Sequence, residues 1–234
     1  MDDACPRCGD TGWLVTEREG MSGAERCSCY GRRANHQRYA AANIPTKFAE
    51  VDLQNFQTSP GLVSNAYVAV RGYTTGFPIL KKPGLLLAGG TGSGKHILPA
   101  ALKLILAKGF DGLFVDYQEL IERIQKGWSQ EAGEEQKQAY QRALDVEVLV
   151  LDDLGAQRNL DWVQDTVTAI ITHRYNHNKP LIATTNLPDP TLGSMPRMVK
   201  SLGEVVGERA RSRLLEMCTW VNMTGIEDRR ERVR

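Results

Sequence analysis

Lys95 closes a run of small residues, Gly89, Gly90, Thr91, Gly92, Ser93 and Gly94, and later in the chain an apolar stretch runs into the paired acids Asp152 and Asp153. Glycines in that number let the main chain turn its N–H groups inward, where together with the Lys95 ammonium they can cradle the β- and γ-phosphates of a nucleotide. The spacing Gly-x-x-x-x-Gly-Lys is that of a P-loop; the alternative is a glycine turn that binds nothing. The acids then have distinct jobs, Asp152 holding a Mg2+ shell, usually through water, and Asp153 orienting or deprotonating the attacking water. After Gly-Lys the pattern asks for a Ser or Thr hydroxyl on Mg2+, and this chain has His96. Imidazole is a poor ligand for a hard, oxygen-seeking cation, so the shell should lose a protein ligand there or take water in its place. Pro99, read as interior to the next helix, predicts one lost backbone hydrogen bond and a cost of roughly 3 kcal/mol.

These side chains need strands and helices to bring them together. The run from Gly84 to Ala88 reads as a short buried strand leading into the glycines, and Ile97, Leu98, Leu102 and Ile105 recur at helical spacing behind them, up to a basic turn and cap at Lys108 and Gly109. Gly112 to Asp116 reads as a second strand, followed by a helix with Leu120, Ile121 and Ile124 on one face. Residues 127–138 read as a polar surface excursion holding Trp128 alone. The stretch from Val146 to Leu151 predicts a central parallel strand that delivers Asp152 and Asp153 at its carboxyl edge, where α/β folds place their ligands. Asp161 and Trp162 open a long amphipathic helix carrying Arg174, and the strand from Leu181 ends on Asn186, an amide able to hydrogen-bond a γ-phosphate and a water together. A helix is expected from Glu204 to Met217, with Arg209 and Arg213 four apart on one face. Phe56, ahead of the P-loop, could flank a base or simply pack in the core.

At 234 residues and 41% hydrophobic content there is room for one medium α/β domain and a small appendage. A net charge of +1 excludes nucleic-acid binding by bulk charge, so any DNA contact must be a local site. No apolar run reaches the roughly 18 to 20 residues that span a bilayer, and the acidic start at Met1, Asp2 and Asp3 is unlike a signal peptide, so the expectation is a cytoplasmic protein without a membrane partner. In that reducing compartment the cysteines read as metal ligands or core residues. Two close pairs, Cys5 with Cys8 and Cys27 with Cys29, predict a tetrahedral Zn2+ site in a segment too short for its own core; the alternative is four unconnected thiols. A short helical connector with Arg32, Arg33 and Arg38 stops at Ile44 and Pro45, which divides a metal-binding segment and connector, 1–45, from a main domain, 46–234.

The order of Cys5 and Cys8, Cys27 and Cys29, Ile44 and Pro45 with Phe48, the P-loop, Leu149 to Gly155, Arg174 to Leu187, and Glu208 to Met217 resembles the DnaC/DnaI-type helicase loaders, bacterial AAA+ ATPases close to the replication initiator DnaA and to the IstB transposition helper. The resemblance implies a P-loop NTPase three-layer sandwich with a five-stranded parallel sheet, preceded by a small zinc-binding adaptor that grips the helicase. It also implies an ATPase with ATP at the junctions of a homo-oligomer, single-stranded DNA on the inner surface and a replicative helicase as partner. By it Asn186 matches the sensor-1 residue and Arg213 the arginine finger, with Arg209 beside it. His96 departs from the family's Thr. Two other readings stay open: an IstB-like helper that works with a transposase, and a nucleotide-binding switch with little or no hydrolysis, for which His96 and Pro99 speak.

Overall fold

The computed structural model describes residues 5–9, 11, 13–18, 21–27, 29–53, 62–128, 133–156, 160–190 and 200–223. Four of its strands are short runs with almost no polar residue: β3 (Gly84–Ala88), β4 (Gly112–Asp116), β5 (Val148–Asp152) and β6 (Leu181–Thr185). Such runs have no polar face to give to water, so they form a parallel sheet covered on both sides. With β7 (Cys218–Asn222) the order is β4-β5-β6-β3-β7, all neighbours parallel.

Alternate residues of each strand serve two cores. Leu86, Leu113, Val115, Leu149, Leu151 and Ala183 face α4 (Tyr117–Gly127), α5 (Glu134–Asp145), α6 (Asp161–Asn176), α7 (Leu202–Val206) and α8 (Glu208–Met217). Leu85, Leu87, Phe114, Val148, Val150 and Ile182 face α2 (Leu62–Gly76) and α3 (Leu98–Ala107). The result is a three-layer α/β sandwich.

Several sequence expectations change. Pro99 lies in the first turn of α3, behind a 3-10 turn at Lys95–Ile97, and not in the helix interior. A first-turn N–H has no intrahelical acceptor, so the cost read from the sequence does not arise. The helix expected from Glu204 to Met217 is two: Ser201 and Glu204 form a capping box that starts α7, and Gly207, at φ 89°, turns the chain into α8. The excursion after Gly127 is short, because α5 begins at Glu134, and the ring of Trp128 meets that of Trp162, centroids 5.3 Å apart.

In the amino-terminal part, β1 (Trp13–Arg18) and β2 (Met21–Arg26) form an antiparallel hairpin, and α1 (Cys29–Ala41) follows. The end of α1 is docked on the outer strand of the large sheet. The Ala42 carbonyl accepts the Phe114 N–H at 2.7 Å, Tyr39 donates to the Lys103 carbonyl, and Arg38 pairs with Asp111.

Below the sheet, at the edge away from the glycine run, Arg174 is fully buried with no carboxylate partner among the described residues. Its guanidinium donates to the carbonyls of Ala143, Leu144 and Val146, which end α5, and to those of Glu147 and Pro180, which lead into β5 and β6. Burial pulls its pKa down to about 10. Five main-chain acceptors stand in place of a counter-ion, and three of them are carbonyls at the end of α5, where intrahelical donors run out. Replacing Arg174 with Met should therefore lower the unfolding free energy by at least about 3 kcal/mol in a urea titration, and a loss below about 1 kcal/mol would show that water or side-chain shifts satisfy those carbonyls instead.

Candidate functional site

The strand ends Ala88, Asp116, Asp152 and Thr185 lie along one edge of the sheet, and the candidate residues gather there. The Gly89 N–H donates to the Thr185 carbonyl, and the Met223 N–H to that of Ala88. A Cβ on Gly89 would stand 2.7 Å from Met223 Cβ and 2.9 Å from its carbonyl oxygen, so the close approach of the chain beyond β7 needs a glycine. Gly92 and Gly94 turn the loop at φ 73° and 98°, in the left-handed region that side chains avoid. Thr91 and His96 are exposed, and Ser93 is buried inside the loop.

Lys95 reaches across the edge. Its ammonium donates to the carbonyls of Gly89 and Gly90 at 2.6 and 2.7 Å and to Asn186 Oδ1 at 2.6 Å. The Asn186 amide nitrogen in turn donates to Asp153 Oδ1 at 2.5 Å. Because β6 lies between β3 and β5, its final amide spans from the glycine loop to the acids. Lys95, Asn186 and Asp153, chosen from three separate parts of the sequence, thus share one hydrogen-bonded row.

The acids are themselves held from below. Thr184 Oγ1 donates to Asp152 Oδ1 at 2.5 Å and accepts the Asp153 N–H at 2.7 Å. Asp153 sits at φ 58°, a strained setting for a non-glycine residue. Burial, and after it the neighbouring Asp152 charge, push the Asp153 carboxyl above the ordinary carboxylate range, while Lys95 opposes them. Asp116, the fourth charge on this edge, caps α4 by accepting the N–H groups of Gln118 and Glu119. A loop of turned main-chain amides, one ammonium and carboxylate oxygens fit a nucleoside triphosphate with a hard divalent cation.

The arginines of α8 behave differently from one another. Arg209 is exposed. Arg213 donates to the Arg209 carbonyl at 3.0 Å and lies over the Tyr175 ring, 5.8 Å from its centroid, with Tyr175 bonded to Glu216. Arg211, between them, forms a two-pronged ion pair with the buried Asp189, at 2.5 and 2.9 Å. That pair fastens the segment after Asn186 to α8, and Thr184 fastens the acids; neither was marked in the sequence. Thr184 is one of two threonines at a strand end, and Asp189 lies in a loop, so only the folded arrangement separates them from their neighbours. Phe56 lies outside the described residues.

In the amino-terminal hairpin, the sulfurs of Cys5, Cys8 and Cys27 all lie within 4.8 Å of one another. The turn that brings the first two together is closed by the Gly9 N–H on the Cys5 carbonyl. The side chain of Cys29, at the start of α1, is outside the described part. Three converging thiols are the soft donor set that suits zinc. Cys218 stands apart, fully buried in β7, with burial pushing its thiol up to about 12.

A family model described as IstB-like ATP binding protein matches residues 21–225. The phage-like element PBSX protein XkdC of Bacillus subtilis (strain 168) is 26% identical over 238 residues, covering 92% of this chain and 79% of that protein. The crystal structure of the DnaC helicase loader is similar with a TM-score of 0.64 at 30% identity, covering 76% of this chain and 99% of that one. The crystal structure of DnaI, at 20% identity and a TM-score of 0.59, covers 80% of this chain and 95% of its own and shares the fold. With the family model spanning residues 21–225 and the fold shared with the DnaC helicase loader, this chain belongs to the IstB-like ATP-binding protein family.

Proposed function

We propose that this protein is an ATP-controlled helicase loader: it assembles with copies of itself on single-stranded DNA and delivers a replicative helicase there. The observation that carries the nucleotide part is the row from Lys95 through Asn186 to Asp153 beside the glycine loop. The loader part is supported by the likeness to the DnaC helicase loader and by the cysteine cluster ahead of the main domain.

In this reading bound ATP with Mg2+ supplies the phosphoanhydride to be cleaved. The N–H groups of the glycine loop that follows Gly89 hold the phosphates, and Lys95 supplies the full positive charge. Asp152 carries the cation shell, Asp153 orients the attacking water, and Asn186, bonded to both sides, reads whether a γ-phosphate is present. Arg213, with Arg209 beside it, serves the nucleotide of the adjacent copy, which ties hydrolysis to assembly. Residues 1–45 form the zinc-bearing adaptor and connector, with Cys29 as fourth ligand to Cys5, Cys8 and Cys27, and residues 46–234 the ATPase domain.

A second reading, a nucleotide switch that hydrolyses little, rests on His96, which stands exposed where a hydroxyl would meet the cation. Pro99 no longer speaks for it, since it starts a helix and distorts none. Hydrolysis that rises in a His96→Thr variant at unchanged ATP affinity would favour the switch. The transposition helper is separated from the loader by its partner: affinity capture with and without ATP should retain a replicative helicase, and retention of a transposase would select the helper instead.

Three further outcomes are expected. Lys95→Ala should weaken ATP binding at least about tenfold, roughly 1.4 kcal/mol, and binding as tight as wild type would remove the loop from the site. Arg213→Ala should bind ATP normally yet fail to assemble on single-stranded DNA with ATP in sedimentation velocity, whereas wild-type assembly by this variant would deny the arginine its role across the junction. Purified protein should carry one zinc per chain. Cys8→Ser or a strong chelator should remove it and abolish hydrogen-exchange protection in β1 and β2 while ATP affinity stays within about twofold; a hairpin still protected without metal would refute the site.

A further inference from the structure

The acid pair at the end of β5 is held by a residue that the nucleotide would never touch. Thr184 is fully buried in β6, and two of its polar groups, the hydroxyl and the carbonyl, make three hydrogen bonds with the turn that carries Asp152 and Asp153. Its hydroxyl accepts the Asp153 N–H at 2.7 Å, and its carbonyl accepts the Leu154 N–H at 2.7 Å. A main-chain N–H can only donate, so the single hydroxyl proton is left for the remaining neighbour, Asp152 Oδ1, at 2.5 Å. Directions in this small network are therefore forced.

We infer that Thr184 is a positioning residue for the cation-bearing side of this site: it occupies one carboxylate oxygen of Asp152, so that the other is the one offered to Mg2+, and it pins the strained turn that aims Asp153. This rests on the ATP and Mg2+ reading above. Asp153 is held at φ 58°, a conformation that is costly for a non-glycine residue and persists only where its surroundings over-determine it. Thr184 supplies two of the bonds that do so, and Asn186, two residues further along the same strand end, supplies a third through Asp153 Oδ1. The demand on Asp152 is raised by His96. In the usual pattern a P-loop hydroxyl shares the cation; with imidazole in its place, the carboxylate at the end of β5 meets the cation without that help, and its orientation matters more.

Valine is nearly the shape of threonine and suits a buried strand equally well, so Thr184→Val removes the hydroxyl with little change of packing. The test is titration of the full chain with a fluorescent ATP analogue, once with Mg2+ and once with EDTA. Mg2+ should tighten binding to wild type. Thr184→Val should lose at least about tenfold of that tightening, the order of one hydrogen bond to a charged group, while affinity in EDTA stays within about twofold. Thr184→Ser, which keeps the hydroxyl, should restore the Mg2+ response, a recovery that general loosening of the strand would not give. In a His96→Thr background, which returns a hydroxyl to the cation, Thr184→Val should cost less than in the natural chain.

Equal Mg2+ tightening in wild type and Thr184→Val overturns the inference. So does a parallel fall of both affinities that Ser fails to rescue, since Thr184 would then act only on folding. Failure of the underlying reading looks different: wild type itself would bind no ATP, or bind it without any response to Mg2+, and the inference would fall with it.

Discussion

One side-chain amide holds an ammonium and a carboxylate that follow the two strands on either side of it. Asn186 can do this only because β6 lies between the strand that ends in the glycine loop and the strand that ends in the acids. The rest of the architecture serves that insertion. Both faces of the sheet must be covered for such apolar strands to lie side by side, which is why the two cores divide alternate residues between them. Moving β6 by one position in the order would leave Lys95 and Asp153 without a common neighbour.

The parts of this fold that were legible in the sequence are those in which a local pattern is also the physical cause. Four short apolar runs declare a buried parallel sheet, glycines with a closing lysine declare a turned loop, and two acids after an apolar run declare the carboxyl edge of that sheet. Three cysteines of the two close pairs do converge: short spacing joins Cys5 to Cys8, and the hairpin that pairs Trp13 with Arg26 returns Cys27 to them. What stayed hidden depends on partners far away in the chain. Arg174 reads as one polar residue of an amphipathic helix, yet it closes the lower side of the sheet against five carbonyls. Thr184 reads as β-propensity. Pro99 was misjudged because a 3-10 turn delays the start of α3, and no propensity rule marks where a helix following a P-loop takes up its regular form.

The clamp between Arg211 and Asp189 ties the segment after Asn186 to α8. Asp189 follows Asn186 by three residues, and Arg211 stands between Arg209 and Arg213 on α8. Asn186 and α8 are therefore joined through a short segment and a buried ion pair. Both oxygens of Asp189 are engaged, which makes the link directional and stiff. Burial adds to this, since parting the pair inside the protein leaves a charge unsolvated.

The docking of α1 on β4 decides where a front module could be exchanged by design. Ala42 plugs the main-chain donor of Phe114 on the outermost strand, so the last turn of the connector belongs structurally to the sheet and travels with it. A recombination joint placed at Pro45 would strip that plug and expose a bare rim on which a foreign strand could grow. A joint upstream of the final turn of α1 would keep the rim sealed, leaving whatever precedes it free to be replaced without disturbing the ATP-binding core.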